Sequence, residues 1–322
     1  MKILITGGAG YIGSTLAPLL LAEGHQVRVM DRLDHGGETL LGVWANPNFE
    51  FLHGDIRDPK SVSAAIAGVN AVVHLAAVVG DPACARQPDL ARAINLDAAL
   101  ALIEESRRAG VQRFVFASTC SNYGKMKDPN SYVDEDSELT PVSLYAQTKV
   151  AVEKALLATG NSPSWSATPL RFATVFGTSP RMRFDLTVNE FTMEMLVKKK
   201  LVVFGEQFWR PYIHARDAAR GIKLVLESDS AKVAGRVFNV GATDQNFQKK
   251  QLVELIRPHA PDAVVEFVHK TEDPRDYRVS FTRIQKELGF QISRTVIQGI
   301  EEVAGLVNSR IITDFDSGKY RN

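Results

Sequence analysis

Tyr145 and Lys149 are the residues in this sequence best suited to move a proton. They lie four positions apart in Tyr-Ala-Gln-Thr-Lys, at the start of a stretch with helical character, and residues four apart on a helix share a face. A free phenol, with a pKa of about 10, is a poor base at neutral pH. A nearby ammonium group favours the phenolate, by about 1.4 kcal/mol for each unit by which the pKa falls. The pair therefore predicts a tyrosine that takes a proton from a hydroxyl group.

Two hydroxyl residues precede this pair at the end of an apolar run. Phe116-Ala117 leads into Ser118 and Thr119, whose side chains can hydrogen-bond a substrate oxygen if they share a crevice with Tyr145. A Tyr-x-x-x-Lys pair often arises by chance, so this second feature gives it weight. We predict Thr119, Tyr145 and Lys149 as the catalytic residues.

A glycine-rich segment near the start of the sequence predicts a dinucleotide site. The apolar run 3–5 leads into Thr6-Gly7-Gly8-Ala9-Gly10-Tyr11-Ile12-Gly13, then into a helical stretch and a second apolar run that ends at Asp31. Glycines at these spacings let the backbone turn sharply and approach a pyrophosphate, whose charge suits the N-terminus of the following helix. Asp31 is placed to accept hydrogen bonds from the adenosine ribose. The alternative is a tight turn without a ligand.

Alternating strands and helices must position these residues. Further strand-like runs are predicted at 49–53, 71–75, 113–117 and 166–170, and helical stretches at 59–67, 89–109 and 144–158. This alternation is typical of a doubly wound α/β (Rossmann) fold, a parallel sheet with helices on both faces. Because ligands of such sheets bind at the carboxyl ends of the strands, we expect one crevice to be lined by Gly54-Asp55-Ile56, His74-Leu75-Ala76-Ala77 and Ser118-Thr119-Cys120.

The second half of the sequence is less regular and predicts a smaller lobe. After Gly177, loops rich in Pro, Arg and aromatic residues alternate with short elements. We predict a dinucleotide-binding domain over 1–172, with a return segment near 213–240, and a substrate-binding lobe over 173–212 and 241–322. The polar tail from Asp314 to Asn322 is predicted to be frayed.

Composition narrows the class of protein. The 322 residues are 45% hydrophobic, and 38 basic against 37 acidic residues give a net charge of +1, which offers no electrostatic case for nucleic acid or an anionic membrane as a partner. Two cysteines, Cys84 and Cys120, fit a reducing compartment rather than a disulfide framework. No signal peptide is visible and no apolar stretch reaches the roughly 18 residues of a membrane span. We therefore expect a cytoplasmic enzyme, and no spacing predicts a metal site.

Taken together, the motifs resemble the extended short-chain dehydrogenase/reductases, over nearly the whole chain. The segments that carry the resemblance are Gly-Gly-Ala-Gly-Tyr-Ile-Gly, Asp31, Gly54-Asp55, His74-Leu75-Ala76-Ala77, Ser118-Thr119 before Tyr123-Gly124, and Tyr145-x-x-x-Lys149. The chain is most similar to nucleotide-sugar epimerases and dehydratases of the UDP-glucose 4-epimerase type. Their second-lobe pattern is matched by Gly205-x-x-x-x-Arg210-x-Tyr212-Ile213-His214-x-x-Asp217.

The resemblance implies a binding site for NAD. It implies pyrophosphate contacts from Gly7, Gly10, Tyr11, Ile12 and Gly13, adenosine ribose contacts from Asp31 and Arg32, adenine contacts from Asp55 and Ile56, and contacts along the cofactor from Leu75, Ala76, Ala77 and Lys149. The oxidised nicotinamide would add a second cation beside Tyr145. Asp31 favours NAD over NADP, because a carboxylate repels a 2′-phosphate.

The resemblance also implies a nucleoside-diphosphate sugar as the substrate. Thr119 stands at the family's catalytic Ser or Thr, Tyr145 at its base, and Arg210 at the residue that binds the diphosphate. Candidates for a second clamp are Arg181 or Arg183, and Arg275 or Arg278, although each suits a surface ion pair as well. The predicted substrate-binding residues are Cys120, Ser121, Thr174, Arg183, Arg210 and Arg275.

Three departures from the family pattern leave the reaction open. Dehydratases place an acid pair directly after the catalytic Thr, where this chain has Cys120 and Ser121, and this disfavours a 4,6-dehydratase. Cys120 could act as an acid or base, since a thiol pKa is tunable, or could fill space as a buried thiol. Thr174 replaces a frequent Asn, and the atypical loop 79–84 either shapes a different sugar pocket or forms a capped turn.

The sequence therefore predicts an NAD-dependent nucleotide-sugar epimerase that oxidises a hydroxyl, most simply at C4, and returns the hydride. A dehydratase, a decarboxylase or a 4-ketoreductase on the same scaffold stays open, as does a non-catalytic cofactor-sensing protein. The resemblance further implies a homodimer joined by a four-helix bundle. Its interface is predicted from apolar residues on the 89–109 and 144–158 helices, namely Ile94, Leu102, Ile103, Val150, Leu156 and Leu157.

Overall fold

The computed structural model describes residues 1–126, 128, 131–162, 164–271 and 275–322. Within these residues the strands are β1 (Lys2–Thr6), β2 (Gln26–Asp31), β3 (Phe49–His53), β4 (Ala71–His74), β5 (Arg113–Thr119), β6 (Ser166–Phe172), β7 (Thr174–Phe176), β8 (Lys200–Phe204), β9 (Trp209–His214), β10 (Phe238–Val240), β11 (Asn246–Gln248) and β12 (Val264–Val268).

The α-helices of the same residues cover both halves of the chain. They are α1 (Gly13–Ala22), α2 (Pro59–Ile66), α3 (Asp81–Arg86), α4 (Pro88–Arg92), α5 (Ala99–Arg108), α6 (Leu144–Ala158), α7 (Thr187–Met193), α8 (Ala215–Glu227), α9 (Ser230–Val233), α10 (Lys249–Ile256), α11 (Thr282–Leu288) and α12 (Val296–Ser309). None of the helices in the described ranges combines the length and the apolar character needed to cross a bilayer.

Seven strands form one parallel sheet in the order β10-β6-β5-β4-β1-β2-β3. Alternate residues along a strand point to opposite faces, and β1 shows this directly. Ile3 and Ile5 belong to the core that includes α1 and α8, whereas Leu4 between them belongs to the core that includes α2, α5 and α6. The predicted doubly wound fold is confirmed.

Two small sheets lie in the second half of the chain. One has the strand order β11-β9-β7, and the other pairs β12 with β8 in parallel. They share a separate core with α7, α10 and α12. The return of the chain to the large sheet occurs at β10, which pairs with β6. The division into a cofactor domain and a substrate lobe at residue 172 stays a prediction.

Several local predictions need correction. The stretch 89–109 is helical but contains a π-helical segment at Ala93–Ala98, and the loop 79–84 contains most of the short helix α3. The C-terminal tail is not frayed: its Tyr320 carbonyl accepts from Phe184 N at 2.9 Å. Phe315 and Tyr320 also pack edge-on against the Phe184 ring, at centroid distances of 5.2 and 5.9 Å. Apolar side chains therefore anchor a tail that is polar in composition.

The surface predicted for a helix bundle is largely inside the chain. Ile94, Leu102, Ile103 and Leu156 are all buried in the core between the large sheet and its helices. The sheet face therefore covers more of α5 and α6 than the sequence suggested. The homodimer stays a prediction without this support.

Candidate active site

A cavity of about 570 Å³ lies at the carboxyl ends of β1, β2, β4 and β5. Its lining contains every residue predicted to bind the cofactor: Gly7, Gly10, Tyr11, Ile12, Gly13, Asp31, Arg32, Asp55, Ile56, Leu75, Ala76, Ala77 and Lys149. The lining also contains Thr119, Ser121, Tyr145, Thr174 and Arg183. Residues far apart in sequence thus meet in one crevice, as the strand-end argument predicts. Two members of the predicted lining, His74 and Cys120, are buried and do not line it.

The glycine turn at the start of this cavity is sterically demanding. Gly7 has a φ of +74°, and a Cβ built there would stand 2.7 Å from Ala76 N. A Cβ on Gly13 would stand 2.5 Å from the Cα of Gly8. The turn therefore packs too closely for side chains at these positions, and it leads directly into the N-terminus of α1, where backbone N–H groups favour an anion.

Asp31 and its neighbours form a charged part of the cavity wall beside the glycine turn. Asp31 Oδ2 accepts from Ala9 N at 3.0 Å, and its Oδ1 accepts from Leu33 N at 2.8 Å. The carboxylate thus ties the glycine turn to the end of β2 while lining the cavity. Arg32 lies 3.3 Å from Asp55 Oδ2 and 3.2 Å from Asp34 Oδ1, so the predicted ribose and adenine residues form one charged group.

Helix α6 places Tyr145 and Lys149 on the same side, facing the cavity. Ser143 caps the helix by accepting from Ala146 N at 3.2 Å. Lys149 is 3% exposed, and its Nζ donates to Ala117 O at 2.8 Å and lies 5.8 Å from the Tyr145 ring centroid. Burial lowers the pKa of Lys149 to about 8. The lysine is therefore a cation at neutral pH, held in a costly position.

The expected lowering of the Tyr145 pKa by its neighbours is not seen in the chain itself. Burial raises the pKa of Tyr145 above its usual value, the nearby Cys84 and Asp81 raise it further, and Arg183 works in the opposite direction. The Lys149 ammonium donates a hydrogen bond to the backbone oxygen of Ala117 rather than to the phenol. Burial has the largest influence among the chain's own groups. The sequence prediction counts an oxidised nicotinamide as the second cation, so the lowering of the Tyr145 pKa stays a prediction.

The hydroxyl groups at the end of β5 and in the turn that follows it differ in their contacts. Thr119 Oγ1 accepts from Ser121 N at 3.1 Å and keeps its proton to donate, on the cavity wall. Ser118 Oγ instead donates to Glu153 Oε2 at 2.8 Å. Ser121 Oγ lies 3.4 Å from Tyr277 OH, a buried cavity residue that the motifs did not single out. Burial raises the pKa of Tyr277 to about 12, which keeps it a hydrogen-bond donor.

A buried ion pair supports α6 from behind. Glu153 and Arg171 are 1% and 4% exposed, and Arg171 Nε donates to Glu153 Oε1 at 3.1 Å while its Nη2 also contacts that oxygen. Arg171 Nη1 donates to Tyr123 OH at 2.9 Å, and Tyr123 OH donates to Asn239 Oδ1 at 2.7 Å. Glu153 follows Lys149 by four residues, so its helical spacing was a signal that sequence reasoning missed.

Three predicted substrate-binding residues do not line the cavity. Cys120 is buried, and its thiol donates to Arg171 O at 3.3 Å. Burial raises the pKa of Cys120, and the turn Cys120–Tyr123 directs the thiol into the core. Of the two interpretations that the sequence left open, this position favours the buried thiol that fills space. The Arg210 guanidinium lies 5.5 Å from the ring centroid of Tyr277, and Arg275 Nη1 donates to Asp81 Oδ2 at 2.8 Å.

Asp81 gives the atypical loop 79–84 a connecting function. Its Oδ1 accepts from the Oγ of Ser143 at 2.6 Å, and Ser143 is the residue that caps α6. Its Oδ2 accepts from Arg275. Val79 and Ala83 of the same loop line the cavity. The loop thus joins the start of the Tyr145 helix to the second half of the chain, and the diphosphate roles of Arg210 and Arg275 stay predictions.

Part of the second-lobe motif holds the fold together. Asp217 is fully buried and accepts from Ser293 N and Arg294 N, each at 2.9 Å. His214 Nε2 lies 2.6 Å from Glu302 Oε2, and its Nδ1 accepts from Arg216 N. These two residues therefore serve packing between α8, α12 and the segment before α12.

Comparisons with known proteins agree with this arrangement. Residues 3–241 match the model of the NAD dependent epimerase/dehydratase family. The sequence is 29% identical over 329 residues to a UDP-glucose 4-epimerase of Corynebacterium glutamicum, covering 97% of each chain. It is 30% identical over 315 residues to a dTDP-glucose 4,6-dehydratase of Streptomyces niveus, covering 94% of this chain and 91% of the relative.

A solved structure shares both the sheet and the flanking elements. The UDP-glucose 4-epimerase of Thermus thermophilus, in complex with NAD, superposes with a TM-score of 0.83 at 25% identity. The match covers 97% of this chain and 100% of that one.

Proposed function

The chain belongs to the NAD dependent epimerase/dehydratase family, and from this premise we propose that it is an NAD-dependent nucleotide-sugar epimerase. The observation that carries the proposal is the meeting of Thr119, Tyr145 and Lys149 with the glycine turn and Asp31 in one cavity. The relatives include epimerases and dehydratases of nucleotide sugars, so a sugar hydroxyl is the group presented to Tyr145.

The residues present fit NAD. The glycine turn leaves the N-terminus of α1 open to a pyrophosphate, and the cavity continues past Leu75 and Ala76 to Lys149. Asp31 stands at the end of β2 with its carboxylate on the cavity wall. Lys149 has no carboxylate within ion-pair distance among the described residues, so a buried cation faces the space in which a nicotinamide ribose would lie.

The proposed reaction uses Tyr145 as its proton acceptor. NAD, when bound, supplies a positively charged ring that accepts a hydride and returns it. Tyr145 takes the proton of the sugar hydroxyl, most simply at C4, and later returns it. Because burial raises the pKa of Tyr145, its phenolate forms only with additional positive charge nearby. The Lys149 ammonium, 5.8 Å from the ring centroid, provides part of that charge.

Thr119 and Lys149 orient the reacting groups. The Thr119 hydroxyl is fixed by its bond from Ser121 N and can donate to the sugar oxygen as it becomes a carbonyl. Lys149 Nζ donates to Ala117 O, and this hydrogen bond fixes the position of the ammonium group at the cavity wall. Ser121 and Thr174, both in the lining, are placed to contact the sugar nucleotide.

A dehydratase is the second candidate, favoured by the dehydratases among the relatives. Elimination needs a base for a carbon acid and an acid for the leaving hydroxyl. After Thr119 this chain has a thiol buried in the core and a serine, and neither supplies these groups readily. The epimerase is therefore the better match to the site.

A substrate panel tests the proposal. The purified protein would be incubated with UDP-, dTDP-, GDP- and CDP-sugars, and the products would be examined by mass spectrometry and proton NMR. We expect a new stereoisomer of unchanged mass from at least one of them. A product lighter by one water molecule would assign the dehydratase instead, and no product from any sugar nucleotide would contradict both.

We also propose a homodimer in the cytoplasm, following the family resemblance. Both cysteines are free and buried, as a reducing compartment allows. Three leucines remain partly exposed and offer apolar surface to a second copy: Leu96 on the π-helical segment, Leu100 on α5 and Leu157 on α6. Light scattering after size exclusion should give twice the chain mass, and a mass equal to one chain would contradict the dimer.

A further inference from the structure

The segment Ser179–Asp185 lies directly against the glycine turn. Ser179 Oγ donates to Tyr11 O at 2.7 Å, and Thr15 Oγ1 donates to Ser179 Oγ at 3.3 Å. The Tyr11 hydroxyl in turn donates to Gly177 O at 2.5 Å. A piece of the second half of the chain is thereby docked on the first turn of α1, the place where a pyrophosphate is expected.

Arg181 in this segment is a buried cation that forms no ion pair within the described part of the chain. It lines the cavity but is only 4% exposed, and its Nη2 donates to the backbone oxygen of Arg321 at 3.0 Å. Its Nε is buried and has no hydrogen-bond partner among the residues that the structure describes. Across the parts of the chain that the structure describes, no carboxylate lies within ion-pair distance of this guanidinium. A buried charge of this kind is costly until an anion pairs with it.

Arg183, two residues later, is in a different situation. Its Nε and Nη2 donate to the two oxygens of Asp185 at 2.9 and 2.6 Å, so its charge is already paired. Burial, and then the positive charge of Arg183, lower the pKa of Arg181 to about 10. Asp185 also acts on Arg181 and raises its pKa, but its two carboxylate oxygens bond directly to Arg183.

The neighbours of Arg181 belong to the dinucleotide end of the cavity. Partial burial, and then the charge of Arg181, lower the pKa of His35, a cavity residue just after β2. Tyr11 of the glycine turn also acts on Arg181. The charge of Arg183 acts on Tyr145, and it also acts on Tyr11 and His35. Arg181 follows Ser179 by two residues, and Ser179 Oγ donates to Tyr11 O of the glycine turn, which ties Arg181 to the pyrophosphate end of the cavity.

We propose that Arg181 binds the pyrophosphate of the dinucleotide from the second half of the chain, rather than the diphosphate of the sugar nucleotide. The inference rests on the proposed function, because it assigns a side chain of that same cavity to NAD. Arg181 and the N-terminus of α1 then hold the pyrophosphate from two sides. A planar guanidinium suits this task, because it matches phosphate oxygens in pairs.

The test measures nucleotide binding without turnover. Calorimetric titrations with ADP, adenosine and NAD would be made on the nucleotide-free wild type, on Arg181→Gln and on Arg181→Lys. Arg108→Gln, a change at an exposed arginine on α5, is the matched control. ADP carries the pyrophosphate and adenosine lacks it, so the ratio of their affinities isolates the phosphate contact.

We expect Arg181→Gln to weaken ADP and NAD about 10- to 100-fold, as for a lost hydrogen bond to a charged group, and to leave adenosine unchanged. The ADP and NAD affinities of Arg181→Lys should lie between those of the wild type and of Arg181→Gln. This variant keeps the test valid if Arg181→Gln does not fold. Equal ADP affinity in wild type and folded variants would overturn the inference.

A second result would also overturn it. If both variants kept NAD affinity but raised the KM for the sugar nucleotide, Arg181 would serve the substrate. Failure of the wild type to bind either NAD or ADP is a different outcome, because it would refute the proposed function together with the inference.

Discussion

Arg171 and Arg181 are both 4% exposed, yet their surroundings are opposite. Burial works to lower the pKa of Arg171, but hydrogen bonds and charge from Glu153 outweigh it and raise the pKa above the usual value. Arg181 has burial and Arg183 acting together, and its pKa falls to about 10. Arg171 forms an ion pair in the interior, whereas Arg181 lines a cavity in which an anion can bind.

The same contrast runs along α6. Glu153 is buried with its counter-ion, while Lys149, one turn earlier, is buried against a neutral carbonyl. A protein gains nothing in stability from an unpaired buried charge. We therefore expect buried charges with a counter-ion to stabilise the elements behind the site, and buried charges without one to bind ligands.

Tyr145→Phe should give the largest effect, on the functional side of the comparison. Removing the proton acceptor should lower kcat by between about 10²- and 10⁴-fold, because no other group in the described lining replaces it. NAD affinity should stay unchanged, since the phenol ring remains. Steady-state kinetics with a calorimetric NAD titration would check both, and a kcat within tenfold of wild type would remove Tyr145 from the mechanism.

Glu153→Gln tests the supporting side. It leaves Arg171 buried without its carboxylate, so the free energy of unfolding should fall by about 3–5 kcal/mol. Urea unfolding would measure this loss. Glu105→Gln, which breaks the surface pair with Arg108, is the control and should change stability by less than about 1 kcal/mol. Similar losses in the two variants would erase the distinction between paired interior charge and surface charge.

Lys149→Met tests the unpaired lysine through pH. The folded chain has a pKa of about 8 at Lys149 against a usual 10.5. Between these pH values the unfolded chain holds a proton that the folded chain has released. The unfolding free energy of the wild type should therefore rise with pH in this window, by up to about 3 kcal/mol relative to Lys149→Met.

Urea unfolding of nucleotide-free protein at about pH 7 and about pH 10 would measure the effect. Lys154→Met, at an exposed lysine of the same helix, should follow the wild type at both pH values. A constant difference between wild type and Lys149→Met would show that burial of this ammonium carries no cost.

Cys120→Ala should have the smallest effect. The thiol is buried away from the cavity and bonded to Arg171 O, so the change should cost about 1 kcal/mol of stability and leave kcat within about twofold. Kinetics beside thermal unfolding would check this. A large loss of kcat in a stable variant would instead indicate that the Cys120 thiol acts as an acid or base in the reaction.

Sequence reasoning located the parts of the site that depend on local spacing. The glycine turn with Asp31, and Tyr145 with Lys149, each lie within one supersecondary unit, where helical or strand periodicity dictates which residues meet. The strand ends followed from the parallel sheet, because all its carboxyl ends share one edge.

The rest depended on contacts between distant segments. The turn Cys120–Tyr123 directs the thiol inward, and alternation along β5 does not reveal that reversal. Arg181 and Arg210 come from the second half, where packing decides which arginine reaches the cavity. The docked tail had a signal in Phe315 and Tyr320, but polar composition hid it. The sign of the Tyr145 shift also required the actual burial of the ring.

Deuterium placed on the carbon that inverts reports directly whether the hydride returns to the carbon that it left. The best sugar nucleotide of the panel would be deuterated at the carbon that inverts and converted by the wild type in ordinary water, and the product would be analysed by mass spectrometry and NMR. We expect the deuterium to stay on that carbon, because the hydride that leaves it is returned to the same carbon within the cavity. A product in which hydrogen from water has replaced the deuterium would contradict it.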